Sequence, residues 1–94
     1  MSRSNDVGAD AAFTVEQLRA VTRDVATALE ASGSSAAAGL LRSAAGSATH
    51  PAEATLFMRE ALVGTRDRWE ELPAEMSTAA SAALAAAKRL AISL

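Results

Sequence analysis

The sequence predicts an all-α protein, a small antiparallel four-helix bundle with helices near 14–32, 35–45, 51–71 and 74–93. Three observations carry that prediction. Alanine supplies 25 of the 94 residues and leucine ten, against five valines, one isoleucine and three aromatics. That bias runs toward helix formers and away from strand formers. Apolar residues recur at helical spacing, with charges on the opposite faces. Gly33, Pro51 and Pro73 punctuate the pattern where helices stop or start. Short connections between the helices make sequential neighbours antiparallel.

Residues 1–12 are polar and aperiodic and read as a flexible arm, which leaves 13–94 as a single helical domain. The first helix has the clearest start. Thr14 and Gln17 form a capping box, and Phe13 can clamp onto Leu18 as a hydrophobic staple. Val15, Leu18, Val21, Val25 and Leu29 define its apolar stripe, while Glu16, Arg19, Arg23 and Glu30 face away. Gly33 ends it as a left-handed residue. Ser34 or Ser35 caps the second helix, whose apolar face is Ala37, Leu40, Leu41 and Ala44, with Arg42 outward. Gly39 and Gly46 weaken it, so it depends on tertiary packing.

His50 and Pro51 open the third helix, and Glu53 suits its first turn. Ala54, Met58, Ala61, Leu62, Thr65, Trp69 and Leu72 share one broad face, which places Trp69 in the core. Pro73 opens the fourth helix, either separate from the third or continuous with it through a kink. Met76, Ala80, Ala83, Ala87, Leu90 and Leu94 make its seam, widened by Leu84 and Ala91; Ala79, Ala82, Ala85 and Ala86 form the outer face.

Composition narrows the chemistry. The net charge is −2 with acids and bases interspersed, so no basic patch marks a nucleic-acid footprint. Cysteine is absent, which removes disulfides, thiol catalysis and thiolate metal sites. A small domain without such staples, and with no apolar leader in MSRSNDVGADAAF, is expected in the cytoplasm. No uncharged run approaches the ~20 apolar residues of a membrane span. His50 is the single histidine and is explained by helix entry. No Glu-x-x-His pair, phosphate-binding glycine loop or nucleophile elbow occurs. Neither cofactor nor metal is expected, and the protein is not expected to be an enzyme. Trp69 is followed by Glu70 and Glu71, so the chain lacks the glycine of the Trp-x-Gly turn of small secreted helical-hairpin proteins. No resemblance to that family is drawn.

One pair escapes the bundle pattern. Leu56 and Val63 stand a heptad apart on the face of the third helix away from Met58 and Trp69. Arg59, Arg66 and Glu70 flank them on one side, Glu60 and Asp67 on the other. An apolar strip rimmed by both signs of charge is expected to mediate a homodimer, antiparallel about a twofold axis, with Arg59 or Arg66 reaching acids of the other chain. The expected function is a non-catalytic helical interaction module: a small self-associating subunit, adaptor or regulator of a protein partner. The alternatives are a binding module for an apolar small molecule or lipid surface, and an enzyme subunit whose site a partner completes.

Overall fold

The computed structural model describes residues 14–46 and 49–93. They form an all-α bundle: α1 (Val15–Ala31), α2 (Ser35–Gly46), α3 (Pro51–Gly64), a 3-10 helix (Arg66–Glu71) and α4 (Ala74–Ser93). The expected flexible arm (1–12), the Phe13 staple and Leu94 lie outside the described residues.

Local chemistry sets most helix ends. Gln17 N–H donates to Thr14 Oγ1 at 3.1 Å, and Thr14 N–H donates to Gln17 Oε1 at 2.8 Å, so the capping box is complete. At the other end of α1, Gly33 has φ 97°, a conformation open to glycine at little cost. Its N–H reaches the Glu30 carbonyl and the Ser34 N–H reaches that of Leu29, the two bonds of a Schellman motif. His50 caps α3, its Nδ1 accepting from the Ala52 N–H at 3.2 Å, with Pro51 in the first turn.

The third helix is shorter than its apolar pattern. It stops at Gly64, where the Thr65 hydroxyl bonds back to the Ala61 carbonyl at 3.0 Å, and the chain tightens into the 3-10 helix. Leu72 is extended (φ −85°, ψ 151°), as the residue before proline must be, so α3 and α4 are separate helices. The expected α-helix over 51–71 is therefore two elements, and Trp69 sits on the 3-10 helix.

In packing, α1 lies most closely on α2 and also on α4, while α3 joins α4 and α2 and meets α1 across the middle. The core takes Leu18, Val25, Leu29, Leu41, Met58, Leu62, Trp69, Leu72 and Leu84 together with nine alanines, which let the helices approach. Trp69 is buried as expected, on an element that touches α1, α3 and α4.

Several side chains are placed otherwise than their sequence pattern implies. Arg19 is only 9% exposed; its guanidinium Nη1 donates to the Ala45 carbonyl in the last turn of α2. Because α2 carries no basic residue there, a cation from α1 meets the negative end of its dipole. Arg42, in turn, pairs with Glu30 across the α1–α2 contact. The Ser34 side chain turns away from the start of α2. Its Oγ donates to Glu71 Oε1 at 2.8 Å, joined more loosely by Ser32 at 3.4 Å, so the α1–α2 turn is latched to the 3-10 helix. Ala86, expected on the outer face of α4, is fully buried. A helix of alanine offers more than one face that a neighbour can cover.

Candidate functional site

The large apolar side chains left exposed among the described residues are Leu40 (57%), Leu56 (41%), Phe57 (41%) and Val63 (49%). All four belong to α2 and α3. They form a ridge and a groove on one side of the bundle.

The ridge is Leu56 and Val63. At roughly 100° per residue the two stack along α3 facing away from Ala54, Met58 and Leu62, which are buried in the core. Arg59 and Glu60 lie roughly 50° to either side of the ridge line, with Glu53 beyond Glu60 on the acidic flank. Arg59, Glu53, Glu60, Arg66 and Glu70 are all exposed. None of them forms an ion pair among the described residues, whose pairs are Arg19–Glu16, Arg42–Glu30 and Arg68–Glu71. The end of α3 at Gly64 changes the geometry of the flanks. Arg66, Asp67 and Glu70 follow the break, so they do not continue the stripes that an unbroken helix would draw.

The groove lies between α2 and α3 on the other side of Glu60. Leu40, Ser43, Ala44, Phe57, Glu60, Ala61 and Gly64 line about 340 Å³ of space open to solvent. Gly64 contributes no side chain, and a Cβ built there meets nothing within 4 Å, so the absent methyl leaves the groove wider rather than relieving a clash. Leu40 was expected on the buried face of the second helix; instead Ala37, Ala38, Leu41, Ala44 and Ala45 face inward. Phe57 adjoins Met58, and only Met58 enters the core. Neither groove residue is marked as surface by its own hydrophobicity. The available signal was Phe57, which at helical spacing falls off the Ala54–Met58–Leu62 face.

The polar side chains assemble no catalytic set among the described residues. His50 Nδ1 is committed to capping α3. Glu71 holds Ser34 and Ser32 beside Arg68, without an imidazole to take a serine proton. Among the described residues no three His, Cys, Asp or Glu side chains gather as a metal site, and no helix is long and apolar enough to cross a membrane. Comparison of the chain with protein-family models, with curated proteins and with solved structures finds no match.

Proposed function

We propose that this protein is a non-catalytic helical interaction module, a small self-associating subunit, adaptor or regulator, and that its working surface is the outer side of α2 and α3. The observation that carries the reading is the gathering of Leu40, Leu56, Phe57 and Val63 on that side. Scattered single exposures need no explanation, whereas here they fall in two pairs on adjoining helices, the Leu56–Val63 ridge and the Leu40–Phe57 groove on either side of Glu60, and paired apolar exposures suit an interface. The homodimer contact centres on Leu56 and Val63, with Arg59, Arg66 and Glu70 at its margin.

Magnitudes set how strong such a dimer is. Full burial of a Val or Leu side chain is worth about 1.5–3 kcal/mol, and roughly half of that remains where half the side chain is exposed. Two residues from each chain then contribute on the order of 4 kcal/mol, near the low end of the ~4–15 kcal/mol that association costs. The ridge alone is therefore insufficient. Flanking ion pairs or further apolar contact must add to it, and the dimer is weak and sensitive to dilution. Light scattering of the wild type across micromolar concentrations should show a mass rising above 9.6 kDa toward twice that value. The Leu56→Glu/Val63→Glu double variant should stay folded and monomeric, since both charges enter the contact and not the core. A wild type monomeric at high micromolar concentration, or a double variant that still dimerises, removes the self-association reading.

The groove favours a second reading, a binding site for an apolar ligand or a partner's apolar side chain between Leu40 and Phe57. Its volume is at the small end for ligand sites and its open form leaves a small molecule largely wet, so a side chain from a partner helix fits better. Phe57→Ser would abolish that binding without changing the mass of the dimer.

A further inference from the structure

Accepting self-association through the Leu56–Val63 ridge, the charges beside it choose the direction in which the two chains meet. In an antiparallel pair the twofold axis crosses the helices, so each flank of α3 meets the same flank of the other copy. In a parallel pair the axis runs along the helices, so each flank meets the opposite one. The same rule makes g pair with e in parallel coiled coils.

For α3 the two flanks differ in sign. Arg59 lies on one, Glu60 and Glu53 on the other, and none of the three forms an ion pair among the described residues. The antiparallel arrangement expected from the sequence alone would set Leu56 against Val63 of the other copy. It would then bring Arg59 beside the second Arg59, and Glu60 beside the second Glu60. Both contacts are repulsive, and the repulsion rises as the apolar ridge excludes water. Side by side in the parallel sense, Arg59 and Glu60 differ in height by one residue, about 1.5 Å. Each Arg59 is therefore level with the other copy's Glu60, giving two ion pairs with Leu56 on Leu56 and Val63 on Val63 between them.

We infer that the partner seated on this ridge is a second copy of the chain, with the two α3 helices parallel about a twofold axis, Arg59 of each opposite Glu60 of the other. Charge complementarity selects the second copy, because the same helix carries both halves of the pairing. It also rejects the antiparallel register with the same residues.

The absence of cysteine makes the test direct. Leu56→Cys and Val63→Cys are made separately in the full chain and oxidised, each alone and as an equal mixture. The expected result is that each variant cross-links efficiently with itself. The mixture should yield few heterodimers joining position 56 of one chain to position 63 of the other, since those positions are about 10 Å apart along the axis. Preferential heterodimers overturn the inference. Charge exchange supplies a second readout. Arg59→Glu and Glu60→Arg should each weaken dimerisation several-fold, and the double exchange should restore it. An antiparallel dimer faces like charges in all four proteins, so no loss and no rescue overturns the inference too. Circular dichroism checks that the variants fold, which these exposed positions favour. A wild type that never dimerises refutes the self-association reading itself; a dimer with the wrong cross-links refutes only its direction.

Discussion

Replacing Arg19 by methionine tests the least expected feature of the fold. The substitution keeps a long aliphatic side chain against the neighbouring helices and removes the guanidinium. Its loss takes away a charged donor to the Ala45 carbonyl, a bond of a class worth ~1.5–3 kcal/mol. It also removes a cation from the C-terminal end of α2, worth roughly 0.3–1 kcal/mol. The contact to Glu16, at 3.3 Å, adds little, because that carboxylate is 83% exposed. Methionine recovers part of the total through apolar burial, so the net destabilisation is about 2 kcal/mol. In a domain of this size each kcal/mol moves Tm by roughly 4–8 °C, which predicts a fall of roughly 8–16 °C. Thermal melts followed by circular dichroism read the shift, with Glu16→Gln as a control that should lie close to the parent. Amide exchange adds a location. Protection should fall most along α2, because its other end is held through the Ser34–Glu71 latch and this end through Arg19. A variant melting within a degree or two of the wild type, with α2 still protected, would mean that Arg19 is merely accommodated.

Three more outcomes follow from the same architecture. Trp69→Ala should cost ~3–5 kcal/mol, as buried aromatic truncations do; a melt unchanged from the parent would place Trp69 on a surface. Thr14→Ala breaks the capping box and should cost about 1 kcal/mol in denaturant unfolding, with no effect if the first turn of α1 is frayed. Melts with and without chelator should overlay, and a drop of several degrees on chelation would reveal a metal requirement.

Helix boundaries were legible where one residue has one mechanical role. Thr14 with Gln17, Gly33, His50 with Pro51, and Pro73 each act through their own backbone or a neighbour within three residues, and each acts at the expected place. What was not legible depends on partners distant in sequence. Arg19 reads as a solvated charge until α2 supplies a carbonyl 26 residues away. The end of α3 was obscured for a different reason. Trp69 and Leu72 keep the apolar period running past Gly64, because the 3-10 helix returns both of them to the same core. Periodicity therefore reported which residues are buried, not that one helix carries them. Leu40 shows the corresponding weakness in α2, where nearly every residue is small or apolar. Hydrophobicity cannot select a face there, and the packing buries Ala38 and Ala45 while leaving Leu40 outside.

The same packing gives the candidate surface its weight. Nine positions of the core cluster are alanine, so the interior is built for closeness and not for bulk. Larger side chains contribute more per position when buried, by about 0.8 kcal/mol for each added methylene that fits. A chain with few large residues has reason to place them inside. Yet Leu40, Leu56, Phe57 and Val63 stand half exposed, together, on the two helices that border the open apolar groove. Stability of the isolated bundle does not account for that arrangement. The self-association proposed above would cover Leu56 and Val63, and the opposite charges of Arg59 and Glu60 on α3 suit another copy of the same helix.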